Sequence, residues 1–293
     1  MKISPKHSAV FVFLFTTLAV FGFSGCVQDN HVKILYTNES SQEVNREIRW
    51  QTVQDGLSFA NILVDHDGQS RKEFFVVKVD PRKFDFRVVT NESEEKARTI
   101  KQVHVAENSV LTFNGAFFDK EFKAMGLLQD ANHRIHKMVR SDLMNGIFRT
   151  VCGEVPEYLH AAQLMSLKDY NDVSPSEDCG FWIQNGPILL DNVGGIRIDT
   201  DTGKMAARTA LGLDRDGNIL VIVLHQSLLN TDNAMSLYQF AHLLKDTEPF
   251  AGMGLNSVLN LDGGPSTGLA VGGEYIPEIK NVQNIIITLP KHA

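Results

Sequence analysis

Apolar residues in this chain cluster into short β-branched runs, separated by polar breaks that carry glycine, proline or aspartate. "FANILVD" (59–65) and "FFVVKVD" (74–80) are two such runs, and each predicts a strand. "FDFRVVT" (84–90) alternates and then stays apolar, which predicts another. "SVLTFNGAFF" (109–118) is strand-like up to Asn114-Gly115, and "GFWIQNGPILLD" (180–191) is strand-like with a break at Asn-Gly-Pro. "ARTALGLD" and "NILVIVLHQ" flank "DRDG", a hairpin signal, while "SVLNLD" (257–262) and "NIIITLP" (284–290) complete the set.

Two segments predict helices instead. "SEEKARTIKQVHVAE" (93–107) places Ala97, Ile100, Val103 and Val105 at helical spacing behind Ser93 as cap. "NAMSLYQFAHLLKD" (233–246) puts Leu237, Ala241 and Leu244 on one face, with Asp232 or Asn233 as cap and Gly252 and Gly254 closing the segment. From about 140 to 180 the pattern loosens into a long excursion of Pro, Glu, Tyr and Ser among short apolar pieces. Many strands, few helices, no βαβ alternation and no internal repeat predict an α+β fold: a single β-rich domain with mixed or antiparallel sheets.

The first residues follow a different rule. Lys2 and Lys6 precede an apolar run from Ala9 to Phe23 and then Ser24-Gly25-Cys26, the layout of a secretory signal over 1–25. The run is too short for a good membrane span. Ser24-Gly25-Cys26 resembles the lipobox of bacterial lipoproteins, with Phe23 where leucine is usual. Cys26 would then be the first mature residue and carry acyl chains, and the other reading is an ordinary cleaved signal with an incidental cysteine. Residues 26–49 read as a polar tether and 50–293 as the folded domain. The expected location is the bacterial cell envelope, and Val27 after the cysteine favours the outer membrane or periplasmic face in a Gram-negative host. The remaining cysteines, Cys152 and Cys179, suggest a disulfide in an oxidising compartment, worth about 3 kcal/mol. Two separate buried thiols are the alternative.

Composition narrows the partners. The chain has 293 residues, 43% hydrophobic, with a formal net charge of -7 and no basic cluster interleaved with aromatics. A nucleic-acid surface is therefore not expected.

The chemistry-bearing residues sit where strands end. In "VLNLDGGPSTGLAV" (258–271) a buried strand stops on Asp262. Gly263 and Gly264 admit backbone angles closed to other residues, and Ser266 and Thr267 offer hydroxyls and N–H groups suited to an anion. On composition alone a glycine-rich connection with a capping Asp is an equal reading. "FNGAFFDK" (113–120) repeats the theme with Asn114, Gly115, Phe117, Phe118 and Asp119, and a turn with two core aromatics is the plainer alternative. Gln184 and Asn185 offer the same amide chemistry in a third broken strand. Arg208, among Ala206, Ala207 and Ala210, needs an anionic partner if it points inward, and is a surface arginine if it does not. "DRDGN" has only part of a calcium loop, His133 and His136 lack a metal pattern, and His225 reads equally as a cleft or a structural histidine. No Gly-x-Ser-x-Gly elbow or phosphate-binding Walker loop occurs.

Taken in order, "NGAFF", "MGLL", "QNGPIL", "RTALGLD" and "LNLDGGPST" resemble the phosphodiester glycosidase family, from roughly Phe74 to Leu289. The family typically has glycine where this chain has Ala116, and often a third glycine where it has Pro265. The excursion at 140–180 has no evident counterpart. The resemblance implies a hydrolase that cleaves between a sugar's anomeric carbon and a phosphodiester or related glycan linkage. It implies catalytic roles for Asp262 and Arg208, with Asp119 as a second carboxylate. Asn114, Gly115, Phe118, Gln184, Asn185, Gly263, Gly264, Ser266 and Thr267 would bind substrate. Ordinary glycosides need a protonated carboxylic acid for a basic leaving group, whereas a phosphate leaving group needs charge neutralised instead. Arg208 and the 266–267 loop are expected to hold phosphate, while Asp262 activates water or stabilises the oxocarbenium-like sugar and Asn114 and Gln184 orient sugar hydroxyls. Carboxylates near phosphate admit a divalent cation, although no cofactor is assigned and no complete ligand set is visible. The alternatives are a glycan-binding lipoprotein without catalysis and a glycosidase acting on phosphate-free exopolysaccharide.

Overall fold

The apolar runs become strands because each can bury one or both faces against a neighbour. The computed structural model describes residues 34–36, 48–66, 70–151, 161–172, 180–226 and 232–291. In chain order the first strands are β1 (Ile34–Tyr36), β2 (Gln51–Gln54), β3 (Leu57–His66), β4 (Ser70–Val79) and β5 (Phe84–Thr90). Helix α1 (Ile100–Ala106) leads to β6 (Leu111–Asn114), β7 (Leu128–Asp130), β8 (His133–His136) and β9 (Gly146–Thr150). Next come β10 (Ala162–Ser166), β11 (Trp182–Asn185), β12 (Ile188–Leu190), β13 (Arg208–Asp214) and β14 (Ile219–Leu224). Helix α2 (Leu237–Asp246) precedes β15 (Leu255–Asn260), β16 (Leu269–Val271), β17 (Glu274–Ile276) and β18 (Asn284–Pro290).

The strands form three sheets. The largest runs β1-β3-β4-β14-β13-β15-β12, with β2 also paired to β3. The second runs β10-β9-β11-β7-β8 and the third β17-β16-β6-β18-β5. All pairings are antiparallel except β1 with β3. The β-rich α+β expectation is met.

All three sheets turn a face to one shared core. Leu211, Val221, Val223 and Leu259 from the first sheet meet Phe148, Leu164 and Ile183 from the second, and Phe86, Phe113 and Ile286 from the third. Strand β14 shows why a continuous apolar run is needed. Ile219, Val221 and Val223 face this core, while Leu220, Ile222 and Leu224 face a second cluster under α2. On β5, by contrast, Phe84, Phe86 and Val88 point in and Asp85 and Arg87 point out. Helix α1 covers the outer face of the third sheet, where Ile100 and Val103 pack on Ala270, Ile285 and Ile287.

The structure corrects several boundaries. Helix α1 begins at Ile100 behind Thr99, not at Ser93: Thr99 and Gln102 form a reciprocal capping box. Asn91 also clamps Arg98, accepting from its N–H at 3.0 Å and donating to its carbonyl at 3.1 Å, which holds the upstream segment out of the helix. Helix α2 is capped by Ser236 rather than Asp232 or Asn233. Asn233 is engaged elsewhere, accepting from Glu73 N and donating to Glu73 O. Gly254, in the left-handed conformation, closes a separate 3₁₀ turn (Ala251–Met253) beyond the end of α2. The tether contributes β1 to the first sheet, and the 140–180 excursion contributes β9, β10 and a 3₁₀ turn (Asp169–Asp172). Cys26, Cys152 and Cys179, with the lipidation and disulfide readings that rest on them, lie outside the described residues. Among the described residues no helix is long and apolar enough to cross a membrane.

Candidate active site

Strand β15 is buried along most of its length and delivers Asp262 just past its end. Leu259 and Leu261 lock into the central core. Leu261 N–H donates to Thr209 O at 2.8 Å, and Asp262 N–H donates to Gly115 O at 3.2 Å. Asp262 is thus held between the end of β6 and the start of β13.

The glycine pair is required by what lies beside it. A Cβ on Gly263 would stand 2.7 Å from Ala207 O, so the loop can press against β13 only without a side chain. Gly264 takes φ +60°, in the left-handed region, and donates to Ala207 O at 2.8 Å. Pro265 then stands inside a 3₁₀ turn (Gly264–Ser266).

This corrects the expected anion cradle. Gly263 N–H donates to Asp262 Oδ1, Ser266 N–H to Gly263 O, and Thr267 N–H to Gly264 O. Gly268 N–H donates to Asn114 Oδ1. With Pro265 lacking an N–H, every backbone N–H from 262 to 268 finds an acceptor within the protein. What remains is side-chain chemistry: the Asp262 carboxyl, the Ser266 hydroxyl bonded to it, and the buried Thr267 Oγ1, which has no partner among the described residues.

Asp262 is electrostatically the most perturbed acid of the site. Burial pushes its pKa up to about 6, against the opposing hydrogen bonds from Ser266 and Gly263. Arg208 begins one strand over, its Cα 3.7 Å from a Cβ built on Gly263. The residue is buried, at 8% exposure. Nε donates to Met235 O at 2.9 Å and Nη2 to Lys204 O at 2.7 Å, and no carboxylate pairs with it among the described residues. Burial lowers its pKa to about 10, so it stays a cation with carbonyl partners only. Asp262 and Arg208 share one corner of the fold, and no ion pair joins them.

The expected amides divide. Asn114 is fully buried and spans the site: Oδ1 accepts from Thr209 Oγ1 and Gly268 N, and Nδ2 donates to Asp262 O at 2.6 Å. Gln184 accepts from Leu127 N and Val139 N and donates to Met144 O and Val139 O. Both were expected to orient sugar hydroxyls, and both instead hold the backbone of the site in place. Asn185 is the opposite case, fully buried with neither end of its amide partnered among the described residues. Gly115 belongs to the site through its carbonyl. Phe118 packs edge-on against Phe122 at 5.1 Å, and Asp119 accepts from Lys123 N within a local turn. No contact brings Phe118 or Asp119 to Asp262 among the described residues. No group of three or more His, Cys, Asp or Glu is placed to hold a metal among them either.

Four contributors went unnoticed in the sequence: Thr209, Gly268, Asn260 and Asn284. Asn260 donates to Gly186 O at 2.9 Å and so ties the 185–187 turn to the Asp262 strand, while its own buried Oδ1 has no partner among the described residues. Asn284 accepts from Ala116 N. The available signal was a lone amide inside an otherwise apolar strand. His225, left open by the sequence, bonds Pro277 O at 3.1 Å, and Pro265 O accepts from Ile279 and Lys280, so this histidine steadies the turn that backs the loop.

A protein-family model described as phosphodiester glycosidase matches residues 107–288. Among solved structures, the chain is similar to a hypothetical protein from Synechocystis at 15% identity and a TM-score of 0.58, covering 84% of this chain and 64% of that one. It is also similar to the zebrafish N-acetylglucosamine-1-phosphodiester alpha-N-acetylglucosaminidase catalytic domain, described as auto-inhibited by its pro-peptide. That likeness has 17% identity and a TM-score of 0.59, covering 82% of this chain and 87% of that one. At these identities the likeness establishes the fold, and the chain spans less than two thirds of the Synechocystis protein. A search of curated proteins finds no match.

Proposed function

Since the chain belongs to the phosphodiester glycosidase family, we propose that it hydrolyses the bond between a sugar's anomeric carbon and a phosphodiester or related glycan linkage, using Asp262 and Arg208. Family and fold support a glycosidase-type hydrolase. The observation that carries the finer reading is the Asp262 carboxyl, partly buried at a strand end with its pKa raised to about 6, on the same corner as a guanidinium that has no anionic partner among the described residues.

A carboxylate with that pKa changes protonation close to neutral pH, as a general base requires. Ionised Asp262 takes a proton from water while the water oxygen attacks the anomeric carbon. The anomeric carbon–oxygen bond breaks and the phosphate departs with the electron pair. Arg208 stabilises the departing charge with its uncommitted N–H groups, and the proton on Asp262 returns to solvent. Asn114 and Gln184 act at one remove by fixing the loops, and Asn185 and Thr267 supply polar atoms to the sugar.

The test is release of free sugar from a sugar-1-phosphodiester. Asp262→Asn is expected to lower kcat at least a hundredfold, within the usual range for losing a general base. Arg208→Ala is expected to cut turnover of phosphodiesters more than of phosphate-free glycosides. Wild-type rates in both variants would overturn the assignment. The fully occupied loop N–H groups favour a second reading, a glycoside without phosphate, because they leave only side chains of the loop to meet an anion. Inhibition by inorganic phosphate separates the two. We further place the mature protein on the bacterial envelope through a lipid on Cys26, which intact-mass measurement of that residue checks.

A further inference from the structure

We propose that the cleft between the 140–180 excursion and the edge strand β12 binds the continuing chain of an anionic glycan, the part of the substrate beyond the bond cleaved at Asp262. This rests on the reading of Asp262 as the reacting carboxylate. The excursion folds back through β9 and β10 and forms one wall with Arg140, Asn145 and Lys168. Ile188, Asp191 and Arg197, on β12 and the hairpin that follows it, form the other. The cleft has a volume of about 900 Å³, at the upper end of the range for small-molecule sites, which gives room for more than one sugar unit.

Its position ties it to the catalytic loop. Ile188 lies opposite Leu259 in the β12–β15 register, three residues before Asp262. Asn260 N–H donates to Pro187 O at 3.1 Å, and Asn260 Nδ2 donates to Gly186 O at 2.9 Å. The cleft therefore lies against the edge strand that pairs with the strand leading to Asp262. A second hollow of about 410 Å³, which includes Asp169 and Asn192, reaches Asn256 and Ser257 at the start of β15.

The donors and acceptors then select the ligand. Arg140 and Lys168 are exposed and have no hydrogen-bond or ionic partner among the described residues. Asn145 uses Oδ1 to accept from Ile188 N, which leaves its NH₂ free to donate. Of the two lining carboxylates, Asp191 is already bound by Val193 N, Gly195 N and Arg197, and Asp142 alone stands exposed. The surplus is of donors and positive charge. An acceptor-rich oligosaccharide bearing carboxylates or phosphates fits it better than a neutral one.

The test is calorimetric titration of the full mature chain carrying Asp262→Asn, which prevents turnover. The probes are a galacturonate hexamer, a phosphate-linked oligosaccharide of similar length and neutral maltohexaose. Either anionic probe is expected to bind at least tenfold more tightly than maltohexaose, with salt weakening the binding, and the tighter of the two identifies the charged group. Adding Arg140→Ala and Lys168→Ala together should weaken anionic binding roughly tenfold. Because both side chains are exposed and make no contact that folding depends on, melting temperature should not change. Equal binding of neutral and anionic probes, or no effect of the double variant, overturns the cleft assignment. Binding as expected, together with an unsubstituted chain that releases no sugar from a sugar-1-phosphodiester, removes the Asp262 chemistry and leaves the cleft standing.

Discussion

Asp262 couples reaction and stability through one property, its raised pKa. Folding places the carboxyl where ionisation is costly, so its pKa rises from 3.8 to about 6. A folded pKa above the unfolded one stabilises the protein fully below pH 3.8, and that stabilisation is lost as pH rises through 6. Above that pH the ionised group costs about 3 kcal/mol relative to a neutral one. Asp262→Asn should therefore melt several degrees higher than wild type at pH 8 and equally near pH 4. As general base the same group predicts kcat/KM falling as pH drops through about 6. A flat profile between pH 5 and 8 would exclude that role. The sequence singled this residue out as a carboxylate that ends an apolar strand before two glycines, while composition alone left a capping Asp in a glycine-rich turn as an equal reading. The tasks of Asn114 and Gln184 were not legible there, because an amide's partners come from segments distant in the chain: Thr209 and Asp262 for the first, Val139 and Met144 for the second.

Among the elements, the 262–268 loop depends on two glycines for different reasons, and substitution should separate them. Gly263→Ala drives a Cβ to 2.7 Å from a backbone oxygen that cannot rotate away, so β13 and the loop must part. Gly264→Ala meets nothing within 4 Å and costs only the left-handed conformation, about 1–2 kcal/mol. Activity should fall much further in Gly263→Ala than in Gly264→Ala, at comparable losses in denaturant midpoint. Equal kinetic losses would mean that the β13 contact does not position Asp262. The strands themselves were readable from alternation and β-branching, while helix starts were not. Thr99 and Ser236 win as caps because each has a glutamine three residues on to complete the box, a local pattern that Ser93 and Asn233 lack.

At the scale of the molecule, the excursion decides whether the site can be one rigid corner. Its loose pattern gave no sign of strands, because β9 and β10 are short and the polar pieces between them obscure the period. Yet Phe181, 1% exposed, stands with its ring 5.9 Å from Phe86 of the third sheet and 6.4 Å from Phe148 of the second. A core shared this way should unfold as one unit, and Phe181→Ala should cost about 3–5 kcal/mol. The two tryptophans provide the measurement, since Trp182 lies in the second sheet and Trp50 packs against the cluster beneath α2. Fluorescence of Trp50→Phe reports the excursion's sheet and that of Trp182→Phe the largest one. Corrected for the small stability effect of each substitution, the two unfolding midpoints should coincide, and Phe181→Ala should shift both together. If Trp182 melted first while Trp50 remained buried, the excursion would be a separate unit, and the cleft beside Asp262 would lack the fixed wall that a glycan subsite needs.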